Sequence, residues 1–240
     1  MLQITQEHLN KFQQIVDRFR SNTKIPKENN WYSWSDNDIW LHTMAQVMVV
    51  GKSVPLDKFY KSDKLRKEVA YERLRKMTDE KNLNRTINRV LLAVGTRYAS
   101  SNISKCLKTK ALVHNLKTLK NYGGPRKFVK RVSEFQGPNA DKQRIEFVVQ
   151  TFMFIKNKGA RDYLMELGLL RNAVALDVRV QNVLRKIGIE VPKGFESNPQ
   201  LYDSIQNDIL EKICKPLGIS GIEFDRMLYQ NYDDIIRMNM

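Results

Sequence analysis

Two residues nineteen positions apart, Lys158 and Asp177, have the types and settings that covalent chemistry on a sugar would need. Lys158 lies in a short polar loop between two helical segments, and Asp177 follows the apolar residues 173–176 at the start of a third. An uncharged lysine amine is nucleophilic when burial or cations favour its neutral form, and Lys156 and Arg161 are close in sequence. A carboxylate can stabilise positive charge on a sugar carbon. The pair is therefore a candidate nucleophile with an electrostatic partner.

Both residues also have a structural interpretation. Aspartate at the start of a helix commonly caps free backbone N–H groups, and a loop lysine is commonly a solvated surface residue. A helix–loop–helix with small polar loop residues can in addition bind a phosphate through backbone N–H groups. Lys156, Asn157 and Gly159 are therefore candidate phosphate-binding positions.

Other reactive residue types are sparse. The two cysteines, Cys106 and Cys214, are far apart, and the three histidines are isolated from other potential metal ligands. Four-cysteine zinc or iron–sulfur sites are excluded, and a reducing compartment is indicated. We expect neither a metal nor an organic cofactor.

Helices must position these residues, because apolar residues recur at helical spacing almost throughout the chain. Ser35 and Asp38 predict a capped start for an apolar helix from Ile39 to Val50, which ends before Gly51. Further helices are predicted at about 9–19, 64–77, 86–99, 109–121, 125–135, 141–155, 159–168, 178–187, 199–215 and 221–231. No alternating strand pattern occurs, so the predicted fold class is all-α.

The breaks between the predicted helices are short and carry glycine or proline. We expect the 240 residues to form one compact unit of two lobes with a groove between them, residues 30–135 in one lobe and residues 1–29 plus 136–240 in the other. No apolar stretch approaches the ~20 residues of a membrane span, and the first residues lack a signal-peptide pattern. A soluble, intracellular monomer is predicted, located in the cytoplasm or nucleoid, or in the nucleus of a eukaryote.

The chain is strongly basic, with 41 Lys and Arg against 26 Asp and Glu and a net charge of +15. Because 42% of the residues are hydrophobic, a disordered basic tail is excluded. Nine cations and no acid lie between residues 105 and 131. Such runs are often only solvated surface, but this density can also follow a phosphate backbone. Nucleic acid is the expected partner, with Lys117, Lys120 and Lys127 as expected contacts.

Residues 141–188 resemble the helix–hairpin–helix superfamily of DNA glycosylases, and within it the 8-oxoguanine DNA glycosylase/lyase family. The segment KGARDYLMELG from Lys158 is similar to the family's catalytic lysine and the short helix after it, which ends in glycine. The segment AVALDVRV resembles the apolar run into the catalytic aspartate, here Asp177. The separation between Lys158 and Asp177 is also similar to the family's.

Two further stretches extend the resemblance. The segment IEFDRMLY is similar to the helix that closes the base pocket, with Tyr229 where tryptophan is more usual, and we assign Asp162 to the same pocket. Gly51 and Lys52 occupy the position of the loop that fills the hole left by an extruded base. The hairpin departs from the family, because residues 154–157 read FIKN instead of carrying glycine-any-glycine. Asn157 could supply the left-handed conformation that glycine would give, and Lys156 could supply a charge in place of a backbone contact.

The resemblance implies a two-lobed glycosylase fold and a base-excision repair enzyme that removes 8-oxoguanine from double-stranded DNA. Lys158 would attack C1′ of the flipped nucleotide, form a Schiff base and nick the strand by β-elimination, while Asp177 would stabilise the oxocarbenium-like sugar. Two alternatives stay open. One is a monofunctional or different-base glycosylase in which Lys158 only binds phosphate. The other is a non-catalytic, structure-specific DNA-binding protein.

Overall fold

The computed structural model describes residues 1–50 and 54–239, and all regular secondary structure in these ranges is helical. In chain order the α-helices are α1 (Gln6–Phe19), α2 (Asp36–Met48), α3 (Val54–Lys61), α4 (Asp63–Glu68), α5 (Tyr71–Leu74), α6 (Glu80–Val94), α7 (Leu107–Asn121), α8 (Pro125–Ser133), α9 (Ala140–Thr151), α10 (Asn157–Glu166), α11 (Val178–Ile187), α12 (Pro199–Ile209), α13 (Gly221–Gln230) and α14 (Tyr232–Arg237). A π-helical turn, Leu210–Cys214, continues α12. The predicted all-α fold class is confirmed. Within the described ranges, no helix has the length and apolar character needed to cross a membrane.

The chain divides into two units. Unit 1 consists of Met1–Asn30 and Asn157–Met240, and unit 2 consists of Trp31–Lys156. Unit 2 includes residues 136–156, which the sequence-based division had grouped with the hairpin. Both candidate catalytic residues, Lys158 and Asp177, lie in unit 1.

Local sequence determines some helix ends, and tertiary contacts determine others. Ser35 caps α2 as predicted: its hydroxyl accepts the Asp38 N–H at 3.2 Å, and the Asp38 carboxylate accepts the Ser35 N–H at 2.9 Å. The single helix predicted over 64–77 is divided into α4 and α5. Trp40 donates to the Val69 carbonyl at 2.8 Å in the break between them, which gives this interrupted backbone a buried partner.

The core of unit 1 is formed by the apolar faces of α1, α11, α12 and α13. Of the five apolar residues at helical spacing in α1, Leu9 is half-buried and the other four, Phe12, Ile15, Val16 and Phe19, are buried. Burying one such side chain contributes about 1.5–3 kcal/mol, so this core holds its helices firmly. These helices, together with α10, carry the residues of the candidate site.

Candidate active site

Lys158 lies in the first turn of α10, with an acidic residue one turn further along the same helix. Its Nζ is 4.0 Å from Oδ2 of Asp162, and 37% of the Lys158 side chain is exposed. The amine is therefore accessible from solvent and has an anion beside it.

Arg161 fixes α10 from its buried side. Its guanidinium is 1% exposed, donates to Gln206 at 2.7 Å, pairs with Asp203 and lies 4.1 Å from the centre of the Tyr202 ring. A buried cation with these partners is costly to disturb. The sequence suggested that Arg161 acts on Lys158 as a neighbouring cation. In the structure its charge is directed to α12 instead.

Residues 173–176 form an apolar link that leads to Asp177. Three buried side chains hold this link, and each accepts one of three successive backbone N–H groups. The pairs are Val174 with Gln206 at 3.2 Å, Ala175 with Asp225 at 2.7 Å, and Leu176 with the Tyr202 hydroxyl at 2.7 Å. Gln206 also accepts from Arg161, so one side chain contacts both α10 and the link. The helix that bears Lys158 and the link that bears Asp177 are therefore fixed by shared partners.

Gly221 explains how closely α13 approaches this link. A Cβ atom at this position would lie 2.7 Å from the Ala173 nitrogen and 2.8 Å from its oxygen. Any side chain here would push α13 away from the link. The approach is what allows Asp225 to reach the Ala175 N–H.

Asp177 caps a helix with one of its two carboxylate oxygens. Its Oδ1 accepts the N–H groups of Arg179 at 2.9 Å and Val180 at 3.0 Å, which caps α11. Its Oδ2 accepts no hydrogen bond from the described residues. Capping and catalysis are therefore compatible roles for this carboxylate, because they use different oxygens.

Arg226 of α13 joins the carboxylates near Lys158. This guanidinium is 8% exposed and donates to Asp162 at 2.9 Å and to Glu166 at 3.1 Å. It also lies 3.7 Å from Asp225. This role of Arg226 is not visible in the sequence, since only the packing of α13 against α10 brings it to these acids.

The innermost acid of this cluster, Asp225, has a pKa well above that of an ordinary carboxyl. The pKa of the Asp225 carboxyl is raised to about 7, and burial is the largest cause. The charge of Arg226 lowers this pKa, and the charges of Asp162 and Asp177 raise it. Burial also raises the pKa of Glu166. The charges of Asp162, which pairs with Lys158, and of Asp177 both raise the pKa of Asp225. Asp225 is therefore coupled electrostatically to both parts of the candidate site.

This raised pKa predicts a pH-dependent stability. The folded state holds the Asp225 proton up to about pH 7, whereas the unfolded chain releases it near 3.8, so stability is lost as the pH rises between these values. The free energy of unfolding of the wild type should therefore fall by about 4 kcal/mol relative to Asp225→Asn between pH 4 and pH 8. Urea unfolding at several pH values measures it. The exposed Asp233→Asn is the control, and parallel curves for wild type and Asp225→Asn would contradict the assignment.

A cleft in unit 1 lies beside this cluster. Its volume is about 350 Å³ and its lining residues are Lys24, Ile25, Pro26, Glu166, Arg226, Tyr229 and Gln230. Tyr229 is 42% exposed, with the Arg179 guanidinium 4.3 Å from its ring centre. An exposed aromatic ring beside a half-buried carboxyl and a guanidinium suits a flat, polar, ring-shaped ligand.

The wall of the cleft is built by long-range contacts. Gln230 accepts the Lys24 N–H at 2.9 Å and donates to its carbonyl at 2.7 Å. Gly168, which ends the turn after α10, has a φ of 73°, and a Cβ there would lie 2.1 Å from the Lys27 oxygen. Only glycine permits this turn, so the glycine singled out in KGARDYLMELG brings α10 against the segment that forms the cleft wall.

The other predicted site residues are distributed as follows. Tyr229 lines the cleft, whereas Asp162 contacts Arg226 behind it and is not among the lining residues. Lys156 is exposed just before α10, and Asn157 and Gly159 are half-buried in the first turn of this helix. Gly51 and Lys52 lie outside the described residues.

The hairpin uses a different residue for its left-handed conformation from the one expected. Asn157 is helical, and it is Phe154 that has a positive φ of 67°. Asn115 holds the residue before it, accepting the Met153 N–H at 2.8 Å and donating to the Met153 carbonyl at 3.1 Å. This buried amide pair fixes the chain where a bulky residue adopts a conformation that usually favours glycine.

The basic run of residues 105–131 is not one uniform surface. Lys108 is fully buried and donates to the carbonyls of Met48 and Val50 at 3.0 Å each, so it satisfies the end of α2. Burial lowers the pKa of Lys108 to about 8. Lys117 is exposed but pairs with Glu80 at 2.9 Å. Lys120 is exposed, as is Lys127 beside Gly123.

If this surface binds DNA, the double variant Lys120→Ala, Lys127→Ala should weaken binding to damaged and undamaged duplex alike. Each lost phosphate contact should reduce the slope of log K against log salt by about 0.9. Fluorescence anisotropy over a range of salt concentrations measures this slope. The control Lys193→Ala, Lys215→Ala removes the same charge from exposed positions in unit 1. Equal slopes for the two double variants would show that the run only carries solvated charge.

Comparison with known proteins identifies the fold. No protein-family model matches the sequence, and no curated protein does so either. Among solved structures, the 8-oxoguanine DNA glycosylase of Thermotoga maritima matches with a TM-score of 0.60 and 19% identity, over 93% of each chain. The Methanocaldococcus jannaschii 8-oxoguanine glycosylase/lyase, in complex with a 15mer DNA containing 8-oxoguanine, matches with a TM-score of 0.63 and 14% identity, over 93% of this chain and 94% of that one.

A second structure of the Methanocaldococcus jannaschii 8-oxoguanine DNA glycosylase gives a TM-score of 0.61 at 16% identity, over 93% of this chain and 89% of that one. The similarity thus extends well beyond residues 141–188, from which the resemblance was first drawn. This chain has the helical fold of the 8-oxoguanine DNA glycosylases.

Proposed function

We propose that this protein is a DNA glycosylase with abasic-site lyase activity, which excises the oxidised purine 8-oxoguanine from double-stranded DNA. The observation that carries this proposal is the placement of Lys158. Its accessible amine lies at the start of α10, beside a carboxylate cluster, in a fold shared with 8-oxoguanine glycosylases. One of those neighbours is described as a glycosylase/lyase bound to DNA containing 8-oxoguanine.

Lys158 is the proposed nucleophile. Its neutral amine attacks C1′, the glycosidic bond breaks, and the electron pair of that bond leaves with the base. The new N–C1′ amine gives a proton to the departing base. The sugar ring then opens as O4′ takes a proton from solvent, which leaves a protonated Schiff base between Nζ and C1′. Removal of a C2′ proton expels the 3′ phosphate and nicks the strand.

Asp177 supplies the electrostatic part of the proposed reaction. Positive charge develops on the sugar as the base departs, and the available Oδ2 of Asp177 would stabilise it. A fixed carboxylate requires little reorganisation during the reaction, because the pinned link already holds Asp177 in place.

The cleft beside Tyr229 is the proposed position of the flipped base. Extruding a base costs a few kcal/mol in unpairing and unstacking, which contacts in a pocket must offset. The Tyr229 ring offers stacking, and Glu166 can accept N–H groups from a purine.

Phosphate contacts through Lys120 and Lys127 would position the duplex without reading its sequence. We further propose that the protein acts within the cell as a monomer.

The test is a borohydride-trapping and base-release assay of the purified protein on duplexes that carry single lesions, with undamaged duplex as the control. Release of 8-oxoguanine together with a covalent protein–DNA adduct supports the proposal. Base release without an adduct would indicate a monofunctional glycosylase. Tight binding to lesion DNA with neither product would indicate a non-catalytic DNA-binding protein.

A further inference from the structure

The Asp162 carboxylate is placed between the candidate nucleophile and a buried cation. Its Oδ2 faces the Lys158 ammonium at 4.0 Å, and its Oδ1 accepts from Arg226 at 2.9 Å. Among the described residues, no other carboxylate lies within 4.0 Å of Lys158 Nζ. Arg226 is held in turn by Glu166, so the Asp162 carboxylate has a fixed orientation.

We propose that Asp162 is the acid–base partner of Lys158; it pairs with the Lys158 side chain at rest and takes its proton as the amine attacks C1′. This inference rests on the proposed function and adds to it the group that prepares the nucleophile. The distance is longer than a hydrogen bond, as is common before substrate binds, and a change of rotamer in either side chain can close it.

The proposed proton transfers balance on an abasic site. The Lys158 ammonium gives one proton to Asp162, and the neutral amine adds to the C1′ aldehyde. A second proton moves from nitrogen to the former aldehyde oxygen, giving a carbinolamine. Asp162 then returns its proton to that hydroxyl, which leaves as water as the protonated Schiff base forms. Asp162 ends as a carboxylate, ready for another cycle.

The charges around the pair favour this arrangement. On α10, Asp162 and Glu166 face Arg226, while Arg161 is directed to Asp203. On α13, Asp225 is the remaining acid, and burial raises its pKa to about 7. Among the paired side chains, the two cations Lys158 and Arg226 are matched by the two anions Asp162 and Glu166. The negative charge of Asp177, at the start of α11, also raises the pKa of Asp225.

The experiment measures the rate of borohydride trapping on a duplex with a preformed abasic site, so that base recognition does not enter. We expect Asp162→Asn to slow trapping about a hundredfold at pH 7, the usual scale of a positioned acid–base group. We expect Asp162→Glu to recover most of the rate, because it restores a carboxylate. Imidazole added at constant pH and ionic strength should accelerate the Asn variant, since a base from solution replaces Asp162. A loss of structure alone would not give this response.

The matched control is Glu146→Gln, which removes the acid of another lysine–acid pair at i and i+4, Lys142 with Glu146 at 3.9 Å. It should trap like the wild type. An Asn variant that traps within twofold of wild type would overturn the proposal. A wild-type trapping rate that rises with imidazole concentration would also overturn the proposal, because it would show that no base is in place beside Lys158. This measurement tests the proposal even if Asp162→Asn does not fold. Absence of trapping by the wild type would instead reject the lyase function on which the inference rests.

Discussion

Replacing Lys158 with Gln should abolish covalent trapping and strand nicking on DNA containing 8-oxoguanine. The amide is similar in size but has no nucleophilic lone pair, so no Schiff base can form. Binding to duplex DNA should remain nearly unchanged, because one partly exposed cation is lost from a chain with a net charge of +15. Trapping with borohydride, nicking on a denaturing gel and anisotropy report these three properties separately.

Lys156→Gln is the matched control, since Lys156 is exposed and lies two residues away. It removes the same charge from the same region, so binding should stay nearly unchanged here too, while trapping should be retained. If Lys158→Gln still forms the adduct and Lys156→Gln does not, the nucleophile is Lys156 and the assignment to Lys158 is wrong.

Asp177→Asn should give a folded protein that binds DNA and excises base about 10²–10³-fold more slowly. Asn caps helices as well as Asp does, so the two bonds to the Arg179 and Val180 N–H groups can be kept and stability should change little. The negative charge that would stabilise the sugar cation is lost, and electrostatic contributions of this kind are worth about 10²–10³ in rate. Thermal unfolding and single-turnover excision measure the two effects.

Asp79 provides a control that separates capping from catalysis. Its Oδ1 accepts from Lys81 at 2.8 Å and Asn82 at 3.4 Å at the start of α6, the same capping arrangement as Asp177. Asp79→Asn should leave both stability and excision close to wild type. An Asp177→Asn variant with wild-type excision would leave Asp177 as a helix cap alone.

The helices could be predicted because their information is local. Apolar residues at three-and-four spacing gave the buried stripe of α1, and the Ser35–Asp38 capping box gave the start of α2. The position of Asp177 at a helix start is likewise local information. Lys158, which the sequence predicts in a loop, instead lies in the first turn of α10, because this helix begins at Asn157. A helix end is harder to predict where a distant side chain determines it, as Trp40 does at Val69.

Only the tertiary structure decided which charged groups surround the candidate nucleophile. Lys108 and Lys120 look alike in the basic run, yet one is buried at the end of α2 and the other is exposed. Arg161 is near Lys158 in sequence but pairs with α12, whereas Arg226, 68 residues after Lys158 in the chain, organises its acidic neighbours. Sequence spacing determines which residues share a helix face. The partners across that face depend on how helices from distant parts of the chain pack, and burial then decides which charges must be paired.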